Sequence, residues 1–295
     1  MRITDRMVVE HTLYQLQQGR TRLGDAQTQV ATGRRLLRSS DDPADVERAM
    51  TLASELRAVE NQTNNLQTSR DWLNGTDSAL SSFNDLLITA RNLAMRAIND
   101  TNSQDERVAI GSQIGGLLEN ALAVANTSQG GYYLFSGHQV RTQPFEKDGN
   151  TIVYQGDNQA IRHMVEPGQT MAVNVTGVEG DHGGLLNGLT RLQELQEALI
   201  SNDITGIQNF LENVDDVTAD LHAAQSSIGA RMQRVDRTLE RLQQRTVDLK
   251  SLYSQLVDAD MAETIAEMNA EQQAYEMSLA TSARILPRSL LDFLR

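Results

Sequence analysis

The sequence contains no cysteine, so disulfide bonds, thiolate metal sites and cysteine nucleophiles are all excluded. Only four of its 295 residues are proline, which leaves long stretches free of the strongest helix breaker. Aromatic residues make up 4% of the chain, which is sparse for a globular core of this size. Alanine, leucine, glutamine, glutamate and arginine are abundant instead, as is typical of long helices and coiled coils.

Charge and hydropathy exclude further classes of protein. The net charge of −13 argues against general affinity for nucleic acid, which requires lysine and arginine to displace counterions. No apolar run approaches the roughly 18 residues of a membrane span, so we expect no membrane partner. The first residues, MRITDRMVVEH, carry charges where a secretory signal peptide has an apolar core. If the protein is exported, we expect it to use another route.

The N-terminal segment predicts a helix with a narrow apolar seam. Apolar residues recur at every seventh position, at Val9, Leu16, Leu23 and Val30. A second line of small residues runs beside them, at Thr12, Gly19, Ala26 and Gly33. Heptad spacing of this kind predicts a helix that packs against another helix, and the small residues allow that helix to approach closely.

The stretch SSDDPADVER, residues 39–48, packs four acidic side chains around a proline. Such a cluster could hold a metal ion, perform acid–base chemistry or start a helix. The helix start fits best, with Asp42 as the N-cap, Pro43 in the first turn, and Asp45 facing the free amides and the positive helix end. A magnesium site would need a loop on which several oxygens converge, and the sequence shows no such loop. The periodic residues that follow predict one helix from about 43 to 98.

Two features organise the middle of the chain. Ser103 and Glu106 form an S-x-x-E capping box for a further helix, which a glycine-rich stretch ends. From about 132 to 184, glycine, aromatic and β-branched residues predict a β module of about 50 residues inserted between helices. Asp148-Gly149 predicts a hairpin turn in this module, and Glu166-Pro167-Gly168-Gln169 predicts a type II turn.

Helix is predicted to return near Leu185 and to break at Asp258-Ala259-Asp260. Between these points the clearest line of the chain repeats every seven residues, at Leu221, Ile228, Val235, Leu242, Leu249 and Leu256. A last helix carries Met261, Ile265, Met268, Tyr275, Leu279 and Leu286. The chain closes on apolar residues that one thin helix pair cannot bury, namely Leu290, Leu291, Phe293 and Leu294. Apolar surface of this kind indicates a partner.

The search for catalytic and cofactor sites returns nothing. The sequence has no HExxH motif, nucleophile elbow, Walker loop or dinucleotide fingerprint. Its five histidines show no metal-ligand spacing, and solvent-facing positions are expected for His138, His163 and His182 near the β module. We therefore predict a structural or interaction protein with no catalytic, cofactor or metal site. Two other classes stay open: a free coiled-coil adaptor, and an enzyme that uses the histidines of the β module.

Four stretches of the chain resemble the flagellin superfamily. VATGRRLLRSSDDPADVERAM, residues 30–50, is similar to the N-terminal signature of that superfamily. The stretches 126–145 and 258–295, together with the first residues of the chain, resemble its hook-associated branch, the FlgL family. The resemblance covers nearly the whole chain and is weakest in the β module. Because several independent motifs carry it, the resemblance is specific.

The resemblance implies a mainly α fold, in which long helices form an antiparallel coiled-coil rod with one inserted β-rich module. It implies three layers: an inner terminal-helix domain of residues 1–40 and 257–295, a long-helix coiled domain of 41–135 and 185–256, and an outer β module of 136–184. Assembly contacts are expected from the terminal helices, at Val9, Leu16, Leu23, Val30, Met261, Ile265, Met268, Tyr275, Leu279, Leu286, Leu290, Leu291, Phe293 and Leu294. Pro287 departs from the family pattern, and we expect it to kink or end the last helix near Leu286.

The resemblance also implies a function. FlgL-like proteins form the junction between the hook-side protein FlgK and the flagellin filament, as a ring of identical subunits and without catalysis. They leave the cell through the flagellar type III system, without a cleaved signal peptide, after the chaperone FlgN has held the C-terminal region. The protein is accordingly expected outside the cell, in the bacterial flagellum, with FlgK-like, flagellin and FlgN-like partners. A flagellin-like filament subunit is the alternative within the same superfamily.

Overall fold

The computed structural model describes the backbone of residues 5–99, 103–166 and 168–293, and the side chains of these residues except 5, 6, 8 and 284–293. Helix dominates the described part. The helices are α1 (Asp5–Thr32), α2 (Pro43–Ala97), α3 (Gln104–Ala125), α4 (Gly184–Ser201), α5 (Ile204–Val257) and α6 (Met261–Phe293). Short strands lie between α3 and α4: β1 (Ser128–Gln129), β2 (Tyr132–Tyr133), β3 (Phe145–Asp148), β4 (Thr151–Tyr154), β5 (Arg162–Glu166) and β6 (Gln169–Ala172). The predicted mainly α fold with a small β insert is confirmed.

Contacts divide the chain into two units. Unit 1 is formed by Met1–Val59 and Gln244–Arg295, and unit 2 by Glu60–Gln243. The long helices α2 and α5 contribute residues to both units, because each unit boundary falls inside one of them. The division into three layers that the sequence suggests stays a prediction.

The helix ends follow the predicted signals. α2 begins at Pro43 and runs for 55 residues, close to the predicted 43–98. The Ser103 hydroxyl accepts a hydrogen bond from the Glu106 amide at 3.3 Å, and the Glu106 carboxylate accepts one from the Ser103 amide at 2.7 Å. This reciprocal pair confirms the capping box at the start of α3. The predicted break at 258–260 is also confirmed, because α5 ends just before it and α6 begins just after it.

In unit 1 the two terminal helices, α1 and α6, pack against each other. Gly19 and Ala26 are buried on α1, and a Cβ atom added at Gly19 would lie 3.4 Å from Cδ2 of Tyr275. Arg22 forms an ion pair with Glu271 at 3.1 Å beside this contact. The helices run antiparallel here, because the step forward from Gly19 to Arg22 accompanies a step back from Tyr275 to Glu271. The predicted pairing of the terminal helices through a line of small residues is confirmed.

In unit 2 the long helices α2 and α5 also run antiparallel. Two ion pairs join them, Arg70–Asp236 at 3.0 Å and Arg91–Asp215 at 2.8 Å, so 21 residues forward on α2 (91 − 70) match 21 residues back on α5 (236 − 215). The predicted heptad line of α5 is buried at Leu221, Ile228, Val235 and Leu242. Buried residues of α2 repeat every seven positions in two lines, Leu66, Leu73, Leu80, Leu87 and Ala94, and Ser69, Thr76, Phe83, Ala90 and Ala97. Both helices therefore carry buried lines with the seven-residue spacing of a coiled coil.

Glycines let α3 and α4 approach closely in unit 2. A Cβ atom added at Gly111 would lie 3.2 Å from Cγ1 of Ile200, and one added at Gly115 would lie 2.6 Å from Nε2 of Gln196. Among the described helices, α3 is the one long and apolar enough to cross a membrane, judged by length and composition alone. Its contact with α4 gives this apolar surface a packing role, since the core helices of water-soluble proteins meet the same criterion. The expectation of no membrane partner stays a prediction.

The predicted β module is confirmed, and its described strands form three hairpins rather than one sheet. β3 and β4 pair Asp148 with Thr151 across the predicted turn, in which Gly149 has φ +61°. The buried ring of Phe145 lies 5.3 Å from the ring of Tyr154, centre to centre, and anchors this hairpin.

A second predicted turn joins β5 and β6. These strands pair Glu166 with Gln169, which places the turn at the predicted four residues. Gly168 has φ +78°, as position i+2 of a type II turn requires. Pro167, predicted at position i+1, lies outside the described residues.

Pro287 does not end the last helix. The sequence predicts a kink or an end near Leu286, but α6 continues through this point to Phe293. A proline removes one amide donor from the helical ladder, and the amides that follow it can still bond, so a helix is able to continue beyond it. The predicted helix end near Leu286 is therefore wrong.

Candidate assembly surface

Unit 1 brings together the two connectors between its helices, residues 33–42 and residues 258–260. The Arg35 amide donates to the Val257 carbonyl at 2.8 Å, and the Ala259 amide donates to the Gly33 carbonyl at 2.9 Å. These bonds flank an antiparallel bridge between the backbones of the two connectors. Gly33 has φ +66°, a left-handed conformation that lets the chain leave α1 and enter the bridge. The bridge therefore fixes the end of α1 to the start of α6.

The Arg35 side chain ties this bridge to two helix ends. Its Nη2 donates to the Leu256 carbonyl at 2.9 Å and to Oδ2 of Asp45 at 2.6 Å. The Leu256 carbonyl belongs to the last turn of α5, where carbonyls lack helical partners and carry partial negative charge. Asp45 lies in the first turn of α2, where the positive helix end favours a carboxylate. Its carboxylate pairs with Arg35 rather than with the free amides that the sequence predicts for it.

Asp42 is the residue that satisfies the first amides of α2. Its Oδ1 accepts hydrogen bonds from the amides of Ala44 and Asp45, both at 3.1 Å. Asp41 bends the connector instead, because its Oδ2 accepts a hydrogen bond from the Arg38 amide at 2.7 Å. Within the described residues, no group of three or more His, Cys, Asp or Glu side chains could hold a metal ion. The carboxylates of Asp41, Asp42 and Asp45 thus serve amides and an ion pair.

Apolar side chains remain exposed beside the connectors. Met50 on α2 is 65% exposed, and Leu252 on α5 is 49% exposed. A groove of about 610 Å³ opens between residues 44–52 of α2 and 252–256 of α5. Apolar surface of this kind makes the groove a candidate contact site for another chain.

The predicted assembly residues fall into two described groups. One group is half-buried within the chain: Val9, Leu16, Leu23, Val30, Met268 and Tyr275. The other group is between 41% and 44% exposed: Met261, Ile265 and Leu279. The side chains of Leu286, Leu290, Leu291 and Phe293, and the whole of Leu294, lie outside the described residues. An assembly role for any of these residues stays a prediction.

Sequence periodicity missed a further set of exposed apolar side chains on the terminal helices. Met7, Leu13 and Tyr14 on α1 and Met277 on α6 are between 49% and 64% exposed. They lie outside the heptad lines of these helices, so heptad spacing does not identify them. Large apolar side chains on the face opposite a seam are the signal that could have found them. The terminal pair therefore has an inner apolar seam and a second apolar surface that this chain leaves exposed.

The histidines near the β module have partners within the chain. Nδ1 of His163 on β5 lies 2.6 Å from Oγ of Ser69 on α2. Burial lowers the pKa of His163. Ser69 is only 1% exposed, so this serine–histidine pair is closed to a substrate. His138 is exposed, and its Nε2 lies 3.3 Å from the Ala160 carbonyl.

His182 and Asp220 hold the turn that precedes α4. Nδ1 of His182 lies 3.1 Å from Oδ1 of Asp220, while the amides of His182 and Gly184 donate to Oδ2 at 2.9 and 3.2 Å. The hydrogen bond to Asp220 raises the pKa of His182. Burial alone would raise the pKa of the Asp220 carboxyl, but the hydrogen bonds from His182 and Gly184 outweigh burial and lower it. The pair therefore holds the backbone at the start of α4.

Known sequence families match both ends of the chain. The bacterial flagellin N-terminal helical region matches residues 3–140, and the bacterial flagellin C-terminal helical region matches residues 211–294. Flagellar hook-associated protein 3 of Salmonella typhimurium is 24% identical over an alignment of 328 residues, which covers 100% of this chain and 100% of that protein. A flagellin of Halalkalibacterium halodurans is 24% identical over 276 residues, which cover 92% of this chain and 91% of that protein.

A solved structure has a similar fold. The crystal structure of Bacillus cereus FlgL superposes with a TM-score of 0.58 at 21% identity, and the match covers 69% of this chain and 99% of that chain. At this level of identity the likeness concerns the fold. It agrees with the long helices and the small β insert described above.

Proposed function

The chain belongs to the flagellin family, and on this basis we propose that it forms the junction between an FlgK-like hook-associated protein and the flagellin filament. It is a structural component of the bacterial flagellum, since the relatives cited above are named as flagellar proteins and none of these is named as an enzyme. The alignment with a hook-associated protein along the full length of both chains supports the junction role.

The observation that carries the proposal is the second apolar surface of the terminal helix pair. Tyr14 on α1 and Met277 on α6 are 58% and 64% exposed, although the same helices already share a buried seam. In a ring of identical subunits, neighbouring copies cover such surface without a further protein. The resemblance to FlgL-like proteins implies the layers of this ring: residues 1–40 and 257–295 innermost, 41–135 and 185–256 around them, and 136–184 outermost.

The same surface supports an export partner. Four apolar side chains of α6 are exposed in the single chain, and an FlgN-like chaperone that holds the C-terminal region would cover them: Met261, Ile265, Met277 and Leu279. Export then proceeds through the flagellar type III system, and the protein acts outside the cell. FlgK-like protein and flagellin contact the two faces of the assembled ring.

A flagellin-like filament subunit is the second candidate, because a flagellin aligns with almost the whole chain. A free coiled-coil adaptor has less support. Its seams would have to pair between two chains, whereas the structure pairs α1 with α6 and α2 with α5 inside one chain.

Deleting residues 281–295 tests the proposal. The truncated chain is expected to remain a folded, soluble monomer in sedimentation, because, among the side chains that the structure describes, every buried one except Ser282 lies before position 281. It should fail to restore filaments to cells that lack the protein, since the deletion removes apolar contacts to neighbouring subunits.

Point variants sharpen this test. Replacing Leu290 and Leu291 together by glutamine should reproduce the defect of the truncation, whereas Asp292→Asn on the same helical turn should leave filament number unchanged. Wild-type filament numbers on cells that make the truncated chain would contradict the proposal.

A further inference from the structure

The terminal helices of unit 1 are joined to the rest of that unit through the two connectors, 33–42 and 258–260. Two backbone hydrogen bonds flank the bridge between them, Arg35 amide to Val257 carbonyl and Ala259 amide to Gly33 carbonyl. Such a bridge fixes the two connectors to each other. It leaves open which side chain fixes the bridge to the neighbouring helices.

The Arg35 guanidinium makes that connection, because one nitrogen reaches two helix ends. Nη2 donates to the carbonyl of Leu256 in the last turn of α5 and to the carboxylate of Asp45 in the first turn of α2. Both contacts are electrostatically favourable, since a cation stands at the negative end of α5 and an anion at the positive end of α2. The Asp45 side chain is 19% exposed and the Arg35 side chain 45% exposed, so water screens this pair in part, on the side of the guanidinium.

The ion pair of Arg38, in the same connector, joins it to α1 rather than to α2 and α5. Arg38 pairs with Asp25 of α1 at 2.9 Å, and the side chain of Arg38 is 62% exposed. Arg34 takes part in the bridge through its backbone. In the connector from 33 to 42, Arg35 is thus the arginine whose side chain touches both α2 and α5.

We propose that Arg35 is a positioning residue, which holds the terminal helix pair in the one direction from α2 and α5 that assembly requires. This inference rests on the proposed function, because it concerns the contacts that a ring of subunits would make. With the guanidinium in place, the pair of α1 and α6 keeps one direction relative to α2 and α5. Without it, the backbone bridge opens more often, and the pair samples directions in which neighbouring subunits cannot meet.

The test compares Arg35→Gln with Arg34→Gln, which removes the same charge one residue away. Hydrogen exchange measured by mass spectrometry on a peptide that contains Ala259 reports the opening of the bridge. Protection of this peptide is expected to fall about tenfold in R35Q, as the loss of charge-assisted hydrogen bonds implies. It should change less than about threefold in R34Q and in the conservative variant Arg35→Lys, which keeps a cation with several donors.

A second readout separates positioning from stability. Each variant is produced in cells that lack the protein, and filaments per cell are counted by electron microscopy. R35Q should be exported but give about tenfold fewer filaments, while R35K should restore most of them. If R35Q proves too unstable to examine, Asp45→Asn removes the other end of the ion pair and should shift both readouts in the same direction.

The outcomes distinguish this inference from the proposed function. If R35Q exchanges at the same rate as R34Q, or if it loses protection and yet restores wild-type filament numbers, the positioning role is overturned. If the wild-type protein itself restores no filaments, the proposed function fails, and the positioning role for assembly fails with it. Loss of protection together with loss of filaments, in R35Q but not in R34Q, supports both.

Discussion

At the scale of single residues, His163 and His182 make the stability of unit 2 depend on pH in opposite directions. Burial lowers the pKa of His163 in the folded chain below its ordinary value of 6.5. The stabilisation of the folded chain by the neutral imidazole is therefore complete above pH 6.5 and is lost as the pH falls. The hydrogen bond to Asp220 raises the pKa of His182 above 6.5. The stabilisation of the folded chain by protonated His182 is therefore complete below pH 6.5, and it is lost as the pH rises through the pKa of His182 in the folded chain.

Replacing His163 by glutamine isolates the contribution of this residue to the pH dependence of the free energy of unfolding. As the pH is lowered from 7.5 to 5.5, the free energy of unfolding of the wild-type protein should decrease relative to that of H163Q, because H163Q has no half-buried imidazole to protonate while both proteins keep His182. Urea unfolding followed by the fluorescence of Trp72, the single tryptophan, measures both.

A matched control comes from His222, which is exposed on α5 of the same unit. The variant His222→Gln should keep the pH dependence of the wild-type protein. Equal slopes for H163Q and H222Q between pH 7.5 and 5.5 would show that the contact between His163 and Ser69 does not control acid stability.

At the scale of helices, glycine decides how closely α4 packs on the core of unit 2. A Cβ atom added at Gly188 would lie 2.7 Å from Cε1 of Phe83, whose ring is fully buried. Gly188→Ala is therefore expected to lower the free energy of unfolding by about 1–3 kcal/mol, because the ring and the helix must move apart. Urea unfolding of the variant measures the loss.

The same substitution at Gly116 is the control. Gly116 is exposed on α3, and an added Cβ atom would meet no atom within 4 Å. Gly116→Ala should raise the free energy of unfolding by about 0.5–1 kcal/mol, because alanine loses less conformational freedom in a helix. A G188A variant as stable as G116A would contradict the close packing of α4 on Phe83.

Helices and their ends could be predicted from the sequence because their signals are local. The heptad line of α5 consists of apolar residues, and the structure buries it at Ile228 and Val235. The first two residues of the second seam line of α2 escaped prediction because they are polar, whereas Phe83, Ala90 and Ala97 of that line belong to the apolar pattern of the sequence. Ser69 and Thr76 are buried there, and each hydroxyl donates to the carbonyl four residues earlier, so burial leaves neither unpaired.

At the scale of the whole molecule, the sequence predicts that the ends of the chain meet but not which atoms join them. The contact between Arg35 and Leu256 links positions 221 residues apart, and no periodic pattern specifies such a pair. Asp45 shows the same limit, because helix-start rules predict its position on α2 but not its pairing with Arg35. The second apolar surface of the terminal pair was missed for a related reason, since exposed residues such as Tyr14 lie off the seam and make no periodic pattern.

The junction role is tested most directly by electron microscopy of flagella on cells that lack this protein. Hooks without filaments are expected, together with unassembled flagellin in the culture medium, because filament growth would have no ring of subunits on which to begin. Restoring the wild-type protein should restore the filaments. Filaments of normal number and length on the deficient cells would contradict the junction role, and hooks without any flagellin in the medium would identify the protein as the filament subunit instead.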